Sequence, residues 1–195
     1  MAIDHEQRRA AIAEITVDLM AREGLEAATI RRIAAEAGYS TASVTHYFVD
    51  KQELLCWAFQ YLSDHGERQF EAALHRSPGD PLEPLKTLVP WCAANRRRWK
   101  AYLAFWDQGA RDPELADLLA RSADIGLSSI TGLLEAACGR NPSLDAAAEL
   151  LHAMVQGLAL KILAGPTHWP EPRIEDSLRA AFDLACRHAR QRAEA

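Results

Sequence analysis

The chain has 195 residues, 49% of them apolar and 25% charged, which is enough to bury a sizeable core in one domain or two small ones. Its 27 acidic against 22 basic residues leave a net charge of −5, and within residues 1–51 six Lys/Arg stand against eight Asp/Glu. A domain that binds nucleic acid by bulk positive charge is thereby excluded, and any duplex contact must rest on where individual cations sit.

Ala, Leu, Arg and Glu dominate, so an all-α fold is expected. No run of about 18 uncharged apolar residues occurs. The N-terminus carries Asp4, Glu6, Arg8 and Arg9 in place of a signal-peptide core, which points to the cytoplasm and to no membrane partner. Cys56, Cys92, Cys138 and Cys186 are far apart in sequence and form no C-x-x-C pair, so neither a zinc knuckle nor a redox motif is supported and reduced thiols are expected.

The spacing predicts a first helix from about Asp4, with Gln7 placed as in a capping box, to a stop at Gly24. Ile12, Ile15, Leu19 and Met20 form its buried stripe. A few residues ahead of it would make a short arm, and Arg8 and Arg9 read either as phosphate contacts or, more plainly, as solvated surface.

Thr29 can cap a second helix whose apolar positions Ile30, Ile33, Ala34 and Ala37 recur at helical spacing. Gly38 stops it, and Ser40 can cap a third helix two residues later. Two short helices about a Gly-containing turn make a helix-turn-helix. In the later helix Thr41, Ala42, Ser43 and Thr45 are small and outward, while Val44 and Phe48 point inward. A rod of short side chains can lie deep in a major groove. On pattern alone, any pair of short helices in a bundle reads the same. The polar residues beside the turn favour DNA: Arg31 and Arg32 enter the second helix, His46 and Tyr47 end the third, and Lys51 opens the next helix beside its cap Asp50.

From Asp50, with Glu53 at the third helical position, a long helix runs to about Arg76, where Ser77-Pro78-Gly79-Asp80-Pro81 breaks it. Its Leu54, Leu55, Ala58 and Leu62 belong with the reading helices, whereas Phe70 and Leu74 must face another core. Asp80-Pro81 starts a further helix that Pro90 kinks or ends, and Asn95-Arg96-Arg97-Arg98 reads as a solvated junction leading into the next. Asp112-Pro113-Glu114 opens a helix ending at Gly139, Asn141-Pro142-Ser143 opens one ending at Gly165-Pro166, and a last helix runs from about Pro172 to Arg192 with a frayed tail. The expectation is about nine helices: residues 1–50 as a three-helix DNA-binding domain, and residues 51–195 as a helical domain for effector binding and dimerisation.

The lettering Thr29, Ile33-Ala34, Ala37-Gly38, Ser40, Ser43-Val44, Tyr47-Phe48 and Lys51 with Leu54 resembles the DNA-binding domain of the TetR family of transcriptional regulators over about residues 10–55. Trp99 to Leu119 is similar to the regulatory domain of its BetI-like branch. The resemblance implies a homodimer that represses by occupying a palindromic, double-stranded operator and lets go when a small molecule enters the C-terminal domain. Carried onto this chain, Arg31, Thr41, Ala42, Ser43 and Thr45 would face bases, and Thr29, His46, Tyr47 and Lys51 would hold phosphates; Arg32 joins the expected DNA contacts only as a donor beside the turn that matches phosphate oxygens. Many members have Tyr where this chain has Thr45, so one aromatic backbone contact is in doubt. Choline sensing does not transfer, because no pocket motif matches closely enough.

Several further constellations have a bland and a functional reading. Trp99, Tyr102, Leu103 and Trp106 fall on one helix face, which is either core or, with Phe59, Trp91 and Met154, the wall of an effector cavity. The last two helices carry Leu151, Val155, Leu158, Ile162, Leu178 and Phe182, which suit either a central helix of the monomer or a four-helix interface with a second copy. Glu149-x-x-His152 has di-iron spacing but occurs once, so no metal is expected. No nucleotide-binding Gly motif, P-loop or G-x-S-x-G occurs, so neither a cofactor nor an enzyme is expected. An effector-independent DNA-binding dimer is the alternative function.

Overall fold

The computed structural model describes residues 2–191, with side chains from His5 to Arg190. Among the described residues there are nine α-helices and no strand: α1 Ala2–Glu23, α2 Ile30–Ala37, α3 Thr41–Tyr47, α4 Lys51–Arg76, α5 Leu82–Thr87, α6 Ala93–Gly109, α7 Pro113–Cys138, α8 Leu144–Ala164 and α9 Glu171–Gln191. Two 3-10 turns, Leu25–Ala27 and Pro166–His168, add to them.

These helices form two compact units, and α4 is shared between them. Residues 1–65 and 97–120 make the first, and residues 66–96 and 121–195 make the second. In the first unit Ile12, Leu19 and Met20 of α1, Ile33 and Ala34 of α2 and Val44 of α3 are sealed against Leu54, Leu55, Ala58 and Leu62 of α4. Phe105 of α6 and Leu115 of α7 complete that core. In the second unit α8 lies along α9, with Leu151, Val155 and Ile162 buried on one helix and Leu178, Phe182 and Ala185 on the other.

Capping explains most of the boundaries. The Asp112 carboxylate accepts the Glu114 and Leu115 N–H groups at 3.1 and 3.2 Å, so α7 starts at Pro113, where the missing N–H is harmless. The Asp80 carboxylate accepts the Leu82 N–H at 2.9 Å and opens α5. The N-terminus departs from expectation. α1 already begins at Ala2, so Asp4 lies inside the helix rather than at its start, and residues 2 and 3, expected in a short arm, are helical. Asn95 to Arg98 is also not a solvated junction: α6 already begins at Ala93, and Asn95 is buried, donating to the Thr87 and Val89 carbonyls at 3.1 and 3.2 Å. The tail expected to fray reaches beyond the described residues.

By length and composition α8 is apolar enough to cross a membrane, yet its inward residues are sequestered against α9. Composition alone therefore does not separate a spanning helix from a packed one.

Within the second unit one buried cation ties α5 to α9. Lys86 is 7% exposed and donates to Glu171 at 2.7 Å and Glu175 at 2.8 Å, with Glu83 at 3.7 Å and the Trp91 ring 4.6 Å from its ammonium. Burial by itself lowers the Lys86 pKa, but the hydrogen bonds and charges of Glu171 and Glu175 outweigh it, and the net shift is upward from 10.5. A folded-state pKa above the unfolded one contributes stability that is complete below the ordinary lysine value and is lost as pH rises through the folded value. Lys86→Met should therefore cost about 1–3 kcal/mol at neutral pH. The variant should also lose the alkaline slope of the wild-type stability curve above pH 10.5. Urea unfolding across neutral to alkaline pH checks this, and parallel curves for the two proteins would remove Lys86 from that role.

Candidate nucleic-acid interface

The helix-turn-helix is built as its residues dictate. The Thr29 hydroxyl accepts the Arg32 N–H at 3.2 Å to cap α2, and the Ser40 hydroxyl accepts the Ser43 N–H at 3.0 Å to cap α3. Between them Gly38 takes the left-handed conformation at φ 69°, ψ 25°, and the Tyr39 N–H reaches back to the Ala34 carbonyl at 2.8 Å. A side chain at Gly38 would be strained in that conformation. Val44 and Phe48, 0% and 1% exposed, then anchor α3 by its inner face.

The outer face is open. Thr29, Arg31, Arg32, Thr41, Ala42, Thr45 and His46 are exposed, and Ser43, Tyr47 and Lys51 are half-buried. All ten expected DNA contacts therefore lie on the surface of one unit. Their chemical states differ. Among the described residues Arg31 and Lys51 make no ion pair, whereas Arg32 is held by Glu23 at 2.7 Å and faces Glu36 at 3.6 Å. Glu36 also binds Arg22 at 2.5 Å, and Asp18 receives Arg22 at 3.4 Å and Arg97 at 3.0 Å, so Arg32 ends a chain of alternating charges. The Thr45 hydroxyl donates to the Thr41 and Ala42 carbonyls at 3.2 Å, leaving lone pairs and a methyl group outward. The Ser43 and Ser40 hydroxyls are 2.8 Å apart.

One residue of this face was not legible in sequence. His5 of α1 places its ring 4.8 Å from Tyr47 and 6.3 Å from His46, so three polar rings cluster where α3 ends.

Arg9 also differs from both of its sequence readings. Its guanidinium lies 4.7 Å from the Phe48 ring centroid and 4.4 Å from that of Trp57, and it donates to Glu53 at 2.6 Å. Glu53 in turn accepts the Val49 N–H at 2.7 Å, and its own N–H is capped by Asp50 at 2.8 Å. Arg9 is neither a phosphate ligand nor solvated: it clasps the end of α3 to the start of α4. Stacking over two aromatic faces and a charge-assisted hydrogen bond are both stronger where water is excluded.

The residues expected to wall an effector cavity divide between the two units. Phe59 is 1% exposed, with Phe105 at 5.3 Å and Tyr102 at 5.8 Å between ring centroids, and Trp99, Tyr102 and Trp106 run along α6 in the same unit. Phe59 is core because α4 and α6 close over it. Trp91 and Met154 belong to the second unit. Trp91 lines a half-open cleft of about 200 Å³ with Lys86, Glu83, Arg76, Gln69 and Asn95. The expected dimer residues need correcting as well. Leu151, Val155, Ile162, Leu178 and Phe182 are at most 7% exposed within a single chain, and only Leu158 stays half-open. The outward face of α8 and α9 instead carries Leu160 and Leu184, each 41% exposed. His152 is held by Gln156 at 3.1 Å, with its pKa lowered by burial.

Comparison with known proteins agrees with this geometry. Residues 12–56 match the model of bacterial regulatory proteins of the tetR family, and residues 85–187 match that of the C-terminal domain of BetI-type transcriptional repressors. The HTH-type transcriptional regulator PksA of Bacillus subtilis is 29% identical, the match covering 94% of this chain and 92% of PksA. A transcriptional regulator from Rhodococcus sp. Rha1 superposes with a TM-score of 0.83 at 27% identity, over 93% of this chain and 97% of that one. A putative transcriptional regulator from Saccharomonospora viridis, solved in complex with choline, shares the fold with a TM-score of 0.78 at 24% identity, over 91% and 96% of the two chains. The match over residues 85–187 alone spans more than half of the chain, so the protein is a transcriptional regulator rather than an enzyme and belongs to the TetR family, with a DNA-binding N-terminal domain and a BetI-type C-terminal domain.

Proposed function

We propose that the protein is a cytoplasmic, homodimeric repressor that occupies a palindromic operator and is released when a small molecule binds the C-terminal part of the chain. The observation that carries the DNA side is the pairing state of its cations. Among the described residues Arg31 of α2 and Lys51 of α4 make no ion pair, while neighbouring Arg32 is held by carboxylates. Arg31, Thr41, Ala42, Ser43 and Thr45 read base edges, and Thr29, Arg32, His46, Tyr47 and Lys51 hold phosphates. Residues 1–50 supply the reading head, and residues 51–195 supply effector binding and dimerisation. α4 connects the two roles as one continuous helix of 26 residues, roughly 39 Å long.

A second copy is the partner that suits α8 and α9. Both helices expose a leucine, Leu160 and Leu184, beside the exposed small residues Ala153, Gly157 and Ala180, which permit close approach. Two helices from each copy form a four-helix interface with two-fold symmetry, and that symmetry is what a palindrome matches. The cleft under Trp91 is the effector site we favour, because it joins an aromatic face to charged side chains in a space of about 200 Å³. Effector binding then shifts the dimer to a state in which the two reading helices no longer meet consecutive major grooves.

Three outcomes follow. On a duplex selected from random sequences by the wild-type protein, Arg31→Ala should cost about 1–3 kcal/mol and relax preference at one base pair. Lys51→Ala should weaken binding to every duplex and reduce the salt slope by about one. Negligible effects of both in titrations at two salt concentrations would overturn this surface. In sedimentation, Leu160→Glu with Leu184→Glu should convert a dimer to a folded monomer that no longer binds the palindrome, whereas a persistent dimer would move the interface elsewhere. In a metabolite screen, a ligand should change tryptophan emission in the wild type and not in Trp91→Phe. A change that persists in that variant would relocate the effector, and operator release by no ligand would favour a constitutive DNA-binding dimer.

A further inference from the structure

The cleft under Trp91 has most of its polar wall already committed to the protein itself. Asn95 gives its amide hydrogens to the Thr87 and Val89 carbonyls at 3.1 and 3.2 Å, and its side-chain oxygen accepts the Cys92 thiol at 3.4 Å. The Thr87 hydroxyl donates to the Pro84 carbonyl at 2.7 Å. Lys86 spends its ammonium on Glu171 and Glu175 of α9, with Glu83 standing 3.7 Å from the same nitrogen. Polar groups satisfied in this way gain little from a ligand.

Two groups of the wall remain to be used. Trp91 is 36% exposed, and Arg76, the last residue of α4, is exposed and makes no ion pair among the described residues. They offer a flat apolar face and a planar fork of N–H donors, and that fork matches the two oxygens of a carboxylate. A ligand cation is disfavoured at the same place. Lys86 holds its ammonium 4.6 Å from the centroid of the Trp91 ring, so the ring already carries a positive charge supplied by the protein. Glu171 and Glu175 reach that ammonium from α9, outside the wall of the cleft, and the wall itself sets Arg76 and Lys86 against Glu83. Size points to a single ring: the space is about 200 Å³, and an apolar cavity of about 150 Å³ is enough for benzene.

We propose that the ligand this cleft takes is a small planar carboxylate, its ring laid on Trp91 and its oxygens held by Arg76, and that an organic ammonium is refused. As the identity of an effector, this rests on the reading of the cleft as the effector site. The carboxylate itself needs only the two open groups and the cation already seated at the ring.

The test uses the full chain at neutral pH with benzoate, benzamide and choline as probes, each followed by saturation-transfer NMR of the probe. Benzoate should bind. Benzamide, which keeps the ring and loses the charge, should bind about tenfold more weakly, and choline should show no transfer. Arg76→Gln should weaken benzoate about tenfold, the scale of one charge-assisted hydrogen bond, and Arg76→Lys, which keeps the charge without the fork, should weaken it less. Trp91→Leu should weaken benzoate and benzamide alike. Benzoate that fails to bind at millimolar concentration, or that binds Arg76→Gln as it binds the wild type, would overturn the inference. Choline binding that Trp91→Leu abolishes would overturn the sign of the charge while keeping the cleft as a ligand site. Duplex release by benzoate tests the effector reading separately: Arg76-dependent binding without release would uphold the carboxylate site and remove its effector role.

Discussion

The helix-turn-helix depends on one cation held inside the protein, Arg9. Arg9 holds the end of α3 through Phe48 and the start of α4 through Trp57 and Glu53, so three helices meet on a single guanidinium. The junction needs such a device because α3 is only seven residues long. A helix of that length is not stable by its own hydrogen bonds and takes its position from what its ends touch. Ser40 fixes one end, and Phe48 under Arg9 fixes the other. Glu53 also accepts the Val49 N–H, and Asp50 caps α4 by accepting the Glu53 N–H, which places Lys51 at a helix N-terminus, where an anion is favoured.

The acidic balance of the chain gains a physical meaning from this arrangement. Of the cations near the turn, Arg9 is internal, Arg22 and Arg32 are neutralised by Asp18, Glu23 and Glu36, and Arg31 and Lys51 make no ion pair among the described residues. Few free positive charges mean a shallow salt dependence and weak attachment to arbitrary sequences. In the proposed dimer, specificity then leans on base contacts from Arg31 and the small face of α3, presented once by each copy. The chain of alternating charges from Arg97 to Arg32 also ties α6 to α2 within the same unit, so the placement of the reading helices is fixed at both their core and their rim.

Legibility in the sequence followed the range of the interaction concerned. Caps and stops act over three or four residues, so Thr29, Gly38, Ser40, Asp50, Asp80 and Asp112 could be read directly, and α2, α3, α4 and α7 follow from them. The inward set of the helix-turn-helix was readable because period alone selects Val44, Phe48, Leu54 and Ala58. Contacts distant in sequence were not readable. Nothing near Arg9 announces Phe48, Trp57 or Glu53, and an arginine in an exposed-looking stretch of α1 is indistinguishable from a solvated one. The aromatic stripe of α6 stayed ambiguous for the same reason, since a core and a cavity wall demand the same spacing, and sequence alone does not show that Phe59 and Phe105 pack against it. Leu151, Val155 and Ile162 fit a partner helix from another copy as well as one from the same chain, and α9 takes them.

The most direct measurement of the central claim is a double-mutant cycle on Arg9→Met and Glu53→Gln, read by duplex affinity together with helical content. The clasp predicts that each single variant stays helical yet binds the selected duplex at least tenfold more weakly, with a coupling of about 1 kcal/mol or more, so that the double variant is little worse than either single one. Single variants that bind as the wild type does, or losses that simply add, would contradict it.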